Sequence, residues 1–287
     1  MLADWLKSRK RLSLPGFSFL SSTIPELAEV DYFRKQWNPG LGQRVVQVIT
    51  HPWTRLYRDA SALDVVKGLA GSRLESSETH GKQMLFRTDN HGWLGIHLGM
   101  TGELLYMTET DFDDRYAHLI LRLEEGSLVF YYARQFGRVR FSQSKEAPGW
   151  WSHLPRQVLD RGFTMAYLDP ILDRRKGTQL KPLLLMQDIF PGIGNWMADE
   201  ILWRARLAPG RRVKSLSGSE RLELYKQIRY VSKHALRIVG DDWGDFPDSW
   251  LFNHRWKDGG ICPRSKKSLS RDTIGGRTTC WSPAVQM

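Results

Sequence analysis

The chain has 287 residues, with 42 Lys and Arg against 31 Asp and Glu, a net charge of +11 and a hydrophobic share of 41%. That length supports two modest domains with separate cores, and that hydrophobic share excludes general disorder. No apolar run approaches the roughly 18 residues that a membrane helix needs, so an integral membrane protein is excluded and a polyanion, nucleic acid first, is the expected partner.

Residues 1–24 carry the basic cluster Lys7, Arg9, Lys10 and Arg11, then an apolar patch interrupted by Pro15 and Gly16. They read as a mobile basic tail or a misplaced start site, not as a secretory signal or an anchor. Helical spacing covers about Leu27 to Trp37, and after Pro39 and Gly40 the pattern turns to β as far as about Phe141. The predicted strands are RVVQVI, KQMLFRT, GWLGIHL, YAHLILRL and SLVFYY, with turns at Asp89-Asn90, Gly126 and Gly137. Such spacing predicts a compact antiparallel sandwich or barrel preceded by one helix.

Ser144 to Gly149 is the predicted linker, and helical periodicity dominates from about Pro155 to Val239. Within it LLLMQDIFPGIGNWMADEILWRARLAP (Leu183 to Pro209) reads as helix, Gly-rich turn, helix, with Asn195 at the cap of the second helix. The free amides and positive dipole end of that helix make an anion site suited to a phosphate diester, and Arg204, Arg206, Arg211, Arg212 and Lys214 follow closely. Ser217 and Glu220 form a capping box that opens a long helix ending near Gly240. From Trp256 to Met287 the chain is turn-rich, and IGGRTT suggests a small β hairpin. Cys262 and Cys280 give no disulfide framework and fit a reducing, cytosolic compartment.

Five stretches in order resemble one family, the formamidopyrimidine-DNA glycosylase and endonuclease VIII enzymes that excise oxidised bases. Ile24-Pro25-Glu26-Leu27-Ala28-Glu29-Val30 resembles its N-terminal MPELPEV, His97 to Gly102 its HLGMSG, and Ala133 to Gly137 its PRRFG. The Gly-rich turn resembles its helix-two-turn-helix, and Gly275 to Thr279 the arginine-bearing hairpin of its finger. The resemblance implies an α+β fold: an N-terminal β-sandwich catalytic domain (25–143), a helix-two-turn-helix domain (150–255) and a finger (256–287), after an extension (1–24).

It also implies roles. Pro25 is the amine nucleophile that attacks the sugar C1′ and forms an iminium, Glu26 moves protons, and Lys82 and Arg277 complete the catalytic set at the phosphates around the lesion. Met100, Arg134 and Phe136 match the wedge that fills the gap left by a flipped base. Asn195 contacts phosphate, Tyr116 stands in the place of a DNA-contacting histidine, and Lys181 completes the DNA-binding set. The implied partner is double-stranded damaged DNA, bound by a monomer without a membrane, in the cytoplasm or nucleoid of a prokaryote.

Four departures stand out. The family's zinc-ligand positions read Cys262, Ser265, Ser282 and Val285, so no zinc or other cofactor is expected and the hairpin is expected to pack through Trp256, Ile261, Ile274 and Trp281. Gln135 replaces the second Arg of PRRFG, and Gly240 to Lys257 is short for a loop that caps 8-oxoguanine. Finally, Pro25 is internal, and an amide nitrogen cannot form an iminium. The alternatives are therefore a base-excision glycosylase with AP lyase activity once Pro25 is exposed, a catalytically inactive protein that binds damaged DNA, and an RNA- or chromatin-binding module.

Overall fold

The computed structural model describes residues 24–51, 55–57, 60–108, 116–132 and 136–287. The expectations for residues 1–23, Arg134 and Gln135 lie outside them. Helix α1 (Leu27–Lys35) precedes a sandwich of strands β1 (Val45–Thr50), β2 (Leu74–His80), β3 (Gln83–Thr88), β4 (Gly92–His97), β5 (Glu103–Met107), β6 (Ala117–Leu123), β7 (Ser127–Tyr131) and β8 (Arg138–Gln143), with α2 (Ala62–Leu69) inserted after β1. One sheet has the order β1-β6-β7-β5 and the other β2-β3-β4-β8, every pair antiparallel. Their facing side chains, among them Phe86, Leu94, Ile96, Leu121, Phe130 and Val139, form one core.

The α+β sandwich is as expected, with differences in detail. Strands β2, β5 and β8 have no counterpart among the predicted strands, and all three lie at sheet edges. An edge strand buries less of itself, so β2 (LESSETH) carries polar residues where a central strand carries an apolar run. Helix α2 is also absent from the sequence reading, although Ser61 caps it by accepting from the Asp64 amide at 3.0 Å.

The second half contains α3 (Gly149–Ser152), α4 (Met165–Arg174), α5 (Leu180–Leu184), α6 (Asn195–Arg204) and α7 (Gly218–Ala235), then the hairpin β9 (Ser270–Ile274) and β10 (Arg277–Trp281). The capping box of α7 is present, with Glu220 N–H on Ser217 Oγ at 3.2 Å and Ser217 N–H on Glu220 Oε2 at 2.8 Å. Among the described residues no helix is long and apolar enough to cross a membrane.

Helix α1 is shared by the two halves. Leu27 and Ala28 lie in the helical core and Val30 and Phe33 in the sandwich core. The Leu27 amide donates to Gly192 O at 3.0 Å, and Lys35 Nζ to Gly240 O at 2.8 Å, so both ends are fastened to the helical domain. The β2–β3 turn meets the same domain by backbone contact. Gly81 has φ +57°, and a Cβ there would fall 2.8 Å from Gly192 N and from Pro191 Cβ. Replacing Gly81 by Ala should therefore destabilise the chain by roughly 1–3 kcal/mol in denaturant titration, whereas a merely exposed turn would tolerate it.

Candidate active site and DNA interface

A cleft of about 450 Å³ opens between the halves. Glu26, Lys82, Met100, Asn195 and Arg277, drawn from five separated stretches, all line it, as does Ile24 beside Pro25. Each is placed by a local device. Pro25 and Glu26 lead into α1, and Lys82 follows the turn glycine Gly81. Arg277 opens β10 after Gly275 and Gly276, whose φ values of 60° and 73° suit a two-residue hairpin turn.

Glu26 is buried, at 2% exposure, and crosses to the other domain. Its carboxylate accepts from the amides of Gly194 (2.9 Å), Trp196 (2.8 Å) and Met197 (3.1 Å), the first turn of α6. This corrects the expectation of a phosphate there: the anion at the helix start belongs to the chain itself. Gly194, not Asn195, is the cap residue, because a Cβ at 194 would sit 2.3 Å from Glu26 Cδ.

Burial pushes the Glu26 carboxyl above its ordinary value, opposed by the Lys82 charge and the Trp196 and Met197 amides. Burial pushes the Lys82 amine down, opposed by Glu26 and Glu29, with Arg277 lowering it further. Neighbouring Glu29 rises to about 7, through burial and then the Glu26 charge. It accepts from Trp196 Nε1 at 2.9 Å and from the Glu26 amide at 3.3 Å. A carboxyl raised and an amine lowered in one cleft are suited to exchanging protons near neutrality.

Phe136 is 61% exposed. The sequence reading missed what positions it. Tyr132 Oη accepts from the Met100 amide at 3.1 Å and the Phe136 amide at 2.9 Å, tying the Met100 and Phe136 segments to one buried side chain. Gly99, at φ +66°, permits the approach, since a Cβ there would lie 2.6 Å from Gly137 N. The apolar run SLVFYY predicts burial of Tyr132 but holds no signal for its hydroxyl.

Several expected DNA contacts are corrected. Lys181 is fully buried, its Nζ bonded to Asp199 Oδ1 at 2.5 Å and to Asn195 O at 2.6 Å, so it holds α5 to α6 and cannot reach DNA. Tyr116 is not among the residues that line the cleft and lies edge-on to Tyr131 against a small apolar cluster with Ile120 and Val129. Asn195 does line the cleft, where its Nδ2 donates one of its two N–H groups to Thr278 O at 2.9 Å. Arg204 and Arg211 pair with Glu200 and Glu220 at 2.7 Å each, so they brace the domain.

The finger departs from its expected packing too. Ile261 is 46% exposed, and the hairpin rests on Trp203, Leu251, Cys262, Leu269 and Cys280. The small thiols of Cys262 and Cys280 occupy the interior, where a large aliphatic group was expected. Cys262 Sγ accepts from Trp203 Nε1 at 3.4 Å, and Val285 packs on the same cluster. One thiol, two hydroxyls and an isopropyl group do not fit a tetrahedral zinc.

His97 accepts from the Gly99 amide through Nδ1 at 3.0 Å, and burial, then the charges of Lys82, Arg138 and Arg140, hold it down to about 4. His97 thus binds less proton in the folded chain than in the unfolded chain between pH 6.5 and about 4. The contribution is complete above the ordinary imidazole value and lost as pH falls through that window, by about 3 kcal/mol. The stability of the wild type relative to His97→Asn, which keeps an acceptor, should fall by this amount in unfolding titrations from pH 7 to 4, the opposite contribution of Glu29 being common to both.

The profile of the formamidopyrimidine-DNA glycosylase N-terminal domain matches residues 24–139, and that of the formamidopyrimidine-DNA glycosylase H2TH domain matches residues 154–244. The formamidopyrimidine-DNA glycosylase of Roseiflexus sp. is 32% identical over 273 residues, spanning 92% of this chain and all (100%) of that protein. That of Desulfitobacterium hafniense is 31% identical over 279 residues, with 92% and 100% covered. Among solved structures, the complex between Lactococcus lactis Fpg and abasic-site DNA superimposes with a TM-score of 0.82 at 22% identity, covering 91% of this chain and 99% of that one. The sandwich, the helical domain and the order of the cleft residues agree with these similarities, and the chain belongs to the formamidopyrimidine-DNA glycosylase family.

Proposed function

We propose that this protein is a base-excision DNA glycosylase with AP lyase activity, acting as a monomer on oxidised bases in duplex DNA, with Pro25 as nucleophile once its nitrogen is a free terminus. The convergence of Glu26, Lys82, Met100 and Arg277 on one cleft beside Pro25 is the observation that carries this. A neutral secondary amine bonds to C1′ as the bond to the base breaks and the base departs with a proton. Loss of the amine proton and protonation of the ring oxygen by Glu26 then open the sugar to the iminium, from which elimination cleaves the strand. Lys82 and Arg277 neutralise the flanking phosphates, and Phe136 with Met100 fills the vacated stack.

The condition on Pro25 rests on chemistry. The family profile begins at residue 24, and Ile24 lies in the cleft joined to Pro25 by an amide. A chain beginning at Pro25 should be trapped on abasic DNA by borohydride, and acetylation of its terminus should abolish trapping. Equal trapping of the 287-residue chain, verified intact by mass, would transfer the nucleophile to another amine. If neither form traps, the inactive binder of damaged DNA replaces the enzyme.

The finger works without zinc or another cofactor in this proposal. Elemental analysis should find no stoichiometric zinc, and strong chelator should leave the melting temperature unchanged. One tightly held equivalent would reject this part.

A further inference from the structure

Tyr132 is fully buried in the sandwich core, where a phenylalanine would fill the same volume. A buried tyrosine differs from it only in what the hydroxyl bonds. Here the oxygen accepts from the Met100 amide at 3.1 Å and from the Phe136 amide at 2.9 Å. The ring that carries it has little freedom. It stacks on Phe130 with the planes 6° apart, and its own backbone is pinned on both sides, since its N–H donates to Tyr116 O at 2.8 Å and its carbonyl accepts from His118 Nε2 at 2.7 Å. The two segments that it joins also touch each other. Gly99 has φ +66°, and a Cβ there would fall 2.5 Å from Tyr132 Oη and 2.7 Å from the Phe136 carbonyl carbon.

The side chains on these segments are presented outward. Phe136 is 61% exposed, and Met100 is half-buried and lines the interdomain cleft. A large apolar side chain on a loop gains most in binding when the loop is already ordered, because ordering on contact subtracts from affinity. Resting on the function proposed above, we propose that Tyr132 is a positioning residue whose hydroxyl holds the Met100 and Phe136 segments as one preorganised wedge. The oxygen acts through two amides and touches no reacting atom. Removing it by Tyr132→Phe keeps the ring, the stack on Phe130 and both wedge side chains, and releases both segments together. The effect must then vanish when the side chains it positions are absent, which separates positioning from general support of the fold.

Equilibrium binding of the full chain tests this without requiring catalysis. The readout is the preference for a duplex carrying an abasic-site analogue over the same duplex undamaged, because a wedge acts only where a base has left the stack. Tyr132→Phe should lower that preference at least about fivefold in the wild-type background and within about twofold in Met100→Ala/Phe136→Ala, with binding to undamaged duplex unchanged. In either single variant, Met100→Ala or Phe136→Ala, the loss of the hydroxyl should still lower the preference, since one positioned side chain remains. Gly99→Ala keeps the hydroxyl and forces it away from the turn; it should show the same pattern, and it takes the place of Tyr132→Phe if that variant fails to fold. Equal losses in the wild-type and doubly substituted backgrounds, or parallel losses on both duplexes, overturn the inference and leave the glycosylase proposal intact. An unchanged preference in Tyr132→Phe, where Phe136→Ala lowers it, does the same. A wild type that does not prefer the abasic duplex overturns both.

Discussion

The structure depends on one carboxylate seated on one helix end. Glu26 comes from the segment that enters the sandwich, yet its oxygens take the amides of Gly194, Trp196 and Met197 at the start of α6. Aligned amides and the helix dipole offer a local positive field, and a buried carboxylate needs such a field to exist at all. The same contact fixes the residue proposed to move protons and the turn of the helix domain that faces it. Glycine at 194 follows from this, since any side chain there would occupy the space of Glu26.

Around that contact the cleft concentrates charge that burial tries to remove. Glu26, Glu29 and Lys82 are each pushed toward their neutral forms by desolvation, and each is partly restrained by the others. A set of groups held away from full ionisation is poor for stability and good for proton exchange, the usual trade at a catalytic site. The Lys181–Asp199–Arg255 cluster, of which Arg255 lines the cleft, braces the elements around it. It joins α5, α6 and the finger, where the Cys280 amide also donates to Asp199 at 3.0 Å.

Much of this was legible in the residues, and the remainder for physical reasons was not. Central strands declared themselves through apolar runs; edge strands such as β2 did not, because pairing on one side demands no apolar pattern. The turn glycines and the Ser217–Glu220 box are local devices with local signals, and they were readable. The occupant of the α6 helix start was not, since Glu26 and Trp196 are 170 residues apart and a helix start accepts any anion. Lys181 shows the same limit in reverse: a lysine in sequence gives no sign that a buried aspartate from the next helix neutralises it. The Tyr132 hydroxyl, hidden in an apolar run, likewise gains its meaning only from two amides, one of them 32 residues away at Met100.

Helix α1 gives Leu27 and Ala28 to one core and Val30 and Phe33 to the other. Neither half therefore owns a complete interior, and separating them would strip apolar surface from both at once. The two domains are in this sense a single cooperative unit. Strain applied across the interdomain cleft is then resisted by two cores together and not by a hinge.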